Sequence, residues 1–233
     1  MAKFSLFGGT NPSSVAENDD SVAVLGLGRF GSSVAMELME SGAQVLGIDA
    51  DADTVQRHNG KLTHVVRADT TDEDVLKELG IPEFPRVVVS IGSDMEASIL
   101  TASLVVGLGV EHVWAKAVTD PHARILRQLG VAHVVQPERE TGRRVAHLVR
   151  RSLLDFVEIG TDFALVRSMP SADLTGLPLG EADALGRHQV SVVAVKPAGG
   201  RWLPTTPETV LSSDDMIQVV GTVRAVEAFA NLR

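Results

Sequence analysis

The sequence contains no cysteine at all. That excludes disulfides, thiolate metal ligands and cysteine nucleophiles, and it fits a protein of a reducing compartment. Tyrosine is absent too, and the seven histidines are scattered, so the proton-transfer group of a dehydrogenase has no evident carrier. No apolar run approaches the length of a membrane span, because Gly, Ser or charge interrupts each one. A short apolar patch followed by Asn11, Pro12 and a polar stretch does not read as a signal peptide. Positive charge is scarce: 30 acids against 21 Lys and Arg leave a net charge of −9, which argues against a nucleic-acid surface. The basic residues between 139 and 151 are interleaved with acids and apolar side chains, as on a solvated helix face. Also missing are a Gly-x-Ser-x-Gly elbow, a His-Glu-x-x-His helix, a Walker loop and any internal repeat.

What is present starts at residue 22. An apolar run leads into Gly26-Leu27-Gly28-Arg29-Phe30-Gly31, a Gly-x-Gly-x-x-Gly turn, and an amphipathic stretch follows. In that motif Gly26 permits the tight turn, Gly28 lets backbone approach a phosphate, and Gly31 lets the helix lie close to the strand. The helix start then offers free N–H groups and a partial positive charge to an anion. Asp49, 23 residues after Gly26, ends the next apolar strand, where a ribose-binding acid belongs.

Residues 1–20 lack periodicity and read as a mobile arm. From residue 21 strands and helices alternate. Strands are expected over 44–49, 63–67, 86–91, 111–116 and 132–135, besides the first. Gly42 closes the first helix, and a short helix covers 51–59. Thr70-Thr71-Asp72-Glu73 reads as a capping box for a helix ending at Gly80. A helix over about 94–107 follows Gly92-Ser93, and Asp120 caps another ahead of Pro121. This spacing implies an α/β, doubly wound parallel Rossmann sheet over 21–136. A helix from Pro137 to about 154 connects it to a small α+β domain over 156–233. In that domain short β-runs near 157, 163, 190 and 216 accompany one helix near 181–185 and one at 223–232.

The carboxyl ends of the strands are where such sheets bind ligands. They present Gly26, Gly28 and Arg29, then Asp49 and Asp51, Asp69 and Thr70, Ile91, Gly92 and Ser93, Lys116, and finally 136–138. Arg29 in the first helical turn opposes the helix dipole, which costs up to about 1 kcal/mol. A bound polyanion explains that placement, and so does an arginine pointing into solvent. Lys116 either completes a phosphate clamp or is a surface lysine with its stem on the sheet. Asp49 accepts both ribose hydroxyls and repels a 2′-phosphate. Glu138 suits a first helical turn on dipole grounds, and near a polyphosphate it can also help hold a divalent cation. His64, His112 and His133 lie by strands as structural residues, whereas His122, His147 and His188 have no carboxylate at useful spacing. The residues describe a nucleotide-binding module whose output is conformational. The alternatives are an NAD(H)-binding Rossmann protein, acting as a small oxidoreductase or redox-state sensor, and a soluble nucleotide sensor.

Residues 24–31, Asp49, Thr63-His64, Ile91-Gly92-Ser93 with Ala97-Ser98, Trp114-Ala115-Lys116-Ala117, and Gln136-Pro137-Glu138 followed by Gly142 resemble the Ktr family. That family, with its Trk relatives, supplies cytosolic gating subunits of bacterial potassium transporters, built from RCK N- and C-domains (TrkA-N and TrkA-C). The resemblance covers about 21 to 233 and holds best in the N-domain. It implies a non-enzymatic subunit at the inner face of the membrane, in an octameric ring docked on a potassium-conducting, KtrB-like membrane partner. It implies ATP for the conducting state and ADP for the inactive one, with NAD(H) as the less fitting cofactor. By resemblance Arg29 senses the γ-phosphate, Lys116 contacts phosphate, Phe30 and Gly31 belong to the phosphate turn, and Asp49 binds ribose. Glu138 matches an acid that helps bind Mg²⁺ or Ca²⁺ between subunits. Some family C-domains bind cyclic di-AMP; here residues 177–189 depart from the pattern of that site, and the reading stays open.

Overall fold

The computed structural model describes residues 19–150 and 154–232. The arm expected over 1–20 therefore lies outside the described residues up to 18. The chain divides into two compact units, residues 1–137 and 138–233.

The first unit holds a six-stranded sheet in the order β3-β2-β1-β4-β5-β6. Its strands are β1 (Ser21–Leu25), β2 (Gln44–Asp49), β3 (His64–Arg67), β4 (Arg86–Val89), β5 (His112–Lys116) and β6 (His133–Val135). Every pairing is parallel. The connecting helices are α1 (Arg29–Glu40), α2 (Ala52–His58), α3 (Glu73–Glu78), α4 (Met95–Gly107) and α5 (Asp120–Gln128). Along β1 the side chains alternate between two buried layers, which is why all five residues are buried. Ala23 and Leu25 face a core with Ile48, Val89, Leu76, Val105 and Leu126. Val22 and Val24 face one with Leu27, Val45, Ala35 and Leu62. Each such Val or Leu contributes about 1.5–3 kcal/mol on burial, and none can leave without a cavity. Register fixes the site: Leu25 stands level with Ile48 and with Val89, and Val89 with Ala115. The loops after β1, β2, β4 and β5 consequently emerge along one edge.

The second unit is an antiparallel sheet in the order β10-β9-β11-β8-β7. Its strands are β7 (Asp155–Glu158), β8 (Phe163–Ser168), β9 (Val190–Lys196), β10 (Leu203–Pro204) and β11 (Met216–Thr222). Helix α6 (Pro137–Arg150), the short α7 (Leu179–Ala182) and α8 (Ala184–His188), and α9 (Val223–Phe229) complete it. Phe156, Val166, Val190, Ile217, Val219, Val226 and Phe229 form its core, with Leu148 of α6 against it.

Four local expectations change. Asp72 caps α3 by accepting from the Asp74 and Val75 N–H groups, while Thr70 is buried in a hydroxyl pair with Thr101 at 2.9 Å. A carboxylate directly before the helix is the stronger acceptor, so the Thr70 capping box does not form. Thr119, not Asp120, caps α5, and Asp120 becomes the first helical residue. Leu154 lies directly before β7, its N–H donated to the Arg167 carbonyl, rather than at a helix end. The helix expected near 181–185 is two short ones meeting at Asp183, whose φ is +47°.

Candidate functional site

The turn after β1 is built from two constraints that only glycine meets. Gly26 takes φ +93°, with its N–H donated to the Ile48 carbonyl at 2.7 Å. A Cβ on Gly31 would fall onto the Gly26 carbonyl oxygen and the Ser90 hydroxyl. That crowding is how α1 starts so close to the sheet. Around the Cα of Gly28 there is open space, and Gly28 caps α1 with no side chain over the helix start. The first N–H groups of a 12-residue helix thus face a clear approach.

Asp49 is held by backbone on both oxygens. Leu27 N–H donates to Oδ2 at 2.6 Å and Asp51 N–H donates to Oδ1 at 2.9 Å. Two charge-assisted bonds fix the carboxylate, and half its lone-pair capacity remains for two hydroxyls of a ligand. Since Leu27 lies inside the glycine turn, the acid and the helix start share one rigid frame.

Lys116 reaches this frame from β5, two strands away. Its Nζ sits 5.6 Å from the centroid of the Phe30 ring. It also lies 3.3 Å from where a Cβ on Gly92 would stand. A cation over an exposed aromatic face gains about 0.5–1 kcal/mol. The Arg29 side chain is exposed and makes no hydrogen bond or ion pair with a described residue. Ile91 walls the turn, its Cγ1 and N at 3.1 and 3.2 Å from a Cβ placed on Gly26. Gly92 and Ser93 form the exposed loop that leads to α4.

Other expected residues have different tasks. Asp51 caps α2, accepting from the Thr54 N–H at 2.8 Å and the Thr54 hydroxyl at 2.6 Å. Those two bonds, with Arg57 adding a little, hold its carboxyl below the usual value. Asp69 accepts from the Thr71 hydroxyl and N–H in a tight turn, which lowers its carboxyl likewise. Thr70 is committed to Thr101. Glu138 stands in the first turn of α6, within the second unit. Among the described residues no group of three His, Asp or Glu is placed to hold a metal ion.

Two contributors escaped the sequence reading. Ser90 donates its hydroxyl between the Leu25 and Gly26 carbonyls, tying β4 to the glycine turn. Its signal is a serine closing an apolar run over 87–89. His122, wholly buried, accepts the Val118 N–H on Nδ1, and burial pushes its imidazole below the usual pKa. Two of the three histidines read as lacking carboxylates have one, far away in sequence: His147 pairs with Glu227 at 2.9 Å and His188 with Asp173 at 2.7 Å.

The TrkA-N domain family matches residues 22–137. The Ktr system potassium uptake protein C of Bacillus subtilis (strain 168) is 36% identical over 208 residues, covering 89% of this chain and 94% of that protein. Among solved structures, the GsuK RCK domain superposes with a TM-score of 0.64 at 18% identity, over 92% of this chain and 48% of that one. The GsuK channel bound to NAD gives 0.65 at 18% identity, over 93% of this chain and 40% of that one. This chain therefore spans less than half of either GsuK chain, and the likeness to them is one of fold. No helix among the described residues is long and apolar enough to cross a membrane. By its identity along nearly the whole of both chains, this protein belongs to the Ktr potassium uptake protein family.

Proposed function

We propose that this chain is a nucleotide-binding regulatory subunit of a potassium uptake system, without catalytic activity of its own. The observation that carries the nucleotide reading is Lys116, whose ammonium stands over Phe30 at the open start of α1. Together with Arg29 it brings two cations to a helix N-terminus that already favours anions. Two cations suit a triphosphate better than a pyrophosphate. Asp49, with lone pairs to spare, takes the ribose hydroxyls. Gly26, Gly28 and Gly31 set the phosphate turn, and Phe30, Ile91, Gly92 and Ser93 wall it; Asp51, Asp69 and Thr70 support the neighbouring loops.

The likeness to the B. subtilis Ktr system potassium uptake protein supports a place in potassium uptake; the assembly proposed for that task is a cytoplasmic ring of eight copies, bound to a potassium-conducting, KtrB-like membrane subunit. ATP and ADP bias that ring through the contacts that Arg29 and Lys116 make with the terminal phosphate, since a ligand shifts a conformational equilibrium only by differential binding. Glu138 supplies one carboxylate to Mg²⁺ or Ca²⁺, with the remaining ligands coming from phosphate oxygens, water or another copy.

Calorimetry with ATP, ADP and NADH tests the reading. ATP and ADP are expected to bind more tightly than NADH, and Arg29→Ala to remove most of the preference for ATP over ADP. NADH binding tightest of the three, or hydride transfer to any simple substrate, overturns it.

A further inference from the structure

The nucleotide reading leaves the buried His122 without a role. His122 is fully buried at the third position of α5. Its Nδ1 accepts the Val118 N–H at 3.4 Å, whereas its Nε2 is buried without a partner among the described residues. A ring nitrogen that accepts carries no proton, which assigns the proton to Nε2. An N–H is thus enclosed with no described residue to receive it, at a cost in stability that a leucine of similar volume would avoid. The compensation lies in what Nδ1 holds.

Thr119 caps α5 by accepting the His122 N–H at 3.2 Å, and the His122 ring reaches back to the Val118 N–H. This is a capping box in which imidazole replaces the usual Glu or Gln and takes the donor one residue earlier. It pins the turn that directly follows Lys116. Val118 shares the Lys116 environment: its Cγ1 lies 3.6 Å from where a Cβ on Gly92 would stand, beside the Lys116 Nζ at 3.3 Å. The turn therefore has one end on Gly92, in the loop before α4, and the other on a buried ring.

We propose that His122 is a positioning residue for the phosphate end of the site, setting the reach of Lys116 by fixing the turn over residues 116–119 through the Val118 amide. The inference rests on the nucleotide reading. Lys116 is carried by a strand end, so a small rotation of the backbone after it moves the distal ammonium much further than it moves the backbone. Rigid support one turn away is what keeps a long side chain on target.

The test is ATP calorimetry on the full chain, comparing wild type with H122L, H122N, K116A and the H122L/K116A double variant. Asparagine offers an oxygen near the Nδ1 position; leucine offers none. H122L is expected to bind ATP about fivefold more weakly, in line with loss of one hydrogen bond, and H122N to stay within about twofold of wild type. Adding H122L to K116A is expected to bring no further loss, because the two act through one ammonium. Equal binding by H122L and wild type overturns the proposal. So does H122N as weak as H122L, or an equal loss with and without Lys116. If H122L does not fold, H122Q, whose carbonyl reaches only the Nε2 position, replaces it with the same loss expected relative to H122N. Wild-type protein that binds no ATP removes the nucleotide reading itself, and this proposal with it.

Discussion

The polar groups around the glycine turn and the ion pairs of the second unit are held by different means. At the turn and behind it the partners are backbone: Asp49 takes two amides, Ser90 two carbonyls, and His122 one amide. In the ion pairs of the antiparallel unit they are side chains: Arg143 with Glu158, Arg144 with Asp155, His147 with Glu227, and Asp173 with both Arg187 and His188. Backbone partners are placed by the sheet and leave acceptor capacity over, as at Asp49. Side-chain pairs consume one another's charge, and those at the surface contribute about 0–1 kcal/mol each. A pre-organised cradle suits a ligand, whereas mutual pairing suits a scaffold.

The hardest way to break the parallel unit is at Gly31. Gly31→Ala drives a methyl into the Gly26 carbonyl and the Ser90 hydroxyl, both backed by strands. The expected loss is about 3 kcal/mol or more, with nucleotide binding lost as well. Gly142 of α6 is the counterpart, since a Cβ there meets nothing within 4 Å. Gly142→Ala is expected to stabilise by about 0.5–1 kcal/mol through helix propensity. Denaturant melts of the two variants measure both signs. A tolerated Gly31→Ala refutes the account of the turn.

The contrast also decides what could be read from the sequence. The glycine turn, the position of Asp49 and the helix ends at Gly42 and Gly80 depend on neighbours a few residues away or on fixed strand spacing, so they were legible. Thr70 shows the limit: Thr-x-x-Glu is a genuine capping pattern, but a closer aspartate won and Thr101, 31 residues on, took the hydroxyl. His147 and Glu227 lie 80 residues apart, and no local pattern announces such a pair. The Lys116–Phe30 approach belongs to the same class, because strand order had to bring β5 to within two strands of β1.

A sharper comparison sets Asp49→Asn against Asp173→Asn. At Asp49 the change removes a charge and turns one acceptor into a donor facing a backbone N–H, with an expected cost of about 1–3 kcal/mol. At Asp173 it weakens contacts with Ser171, His188 and Arg187, of which the last is half exposed, and about 1 kcal/mol or less is expected. Nucleotide affinity, by calorimetry, falls only for Asp49→Asn. Equal effects on binding would place the ligand elsewhere.

Acid titration gives the smallest effect and separates the units by pH. His122 is pushed below its usual 6.5 by burial, so the unfolded chain takes up the proton first. The stability it contributes is complete above pH 6.5 and is lost as pH falls toward its lowered folded value. Asp173 is held below its usual 3.8, chiefly by the Ser171 hydroxyl, with His188 and Arg187 adding to it. For Asp155 burial pushes up, but Arg144, the Phe156 N–H and Arg167 together outweigh it. The stability from both carboxylates is present above pH 3.8 and disappears as pH falls through their lowered values. Amide exchange followed from pH 7 downward should show β5 and α5 loosening first, just below pH 6.5, while β7 and β8 keep their protection until the carboxylates titrate. The His122→Asn variant removes the first step and leaves the second. If β5 and β7 lose protection together, the buried His122 does not set the acid limit of the parallel unit.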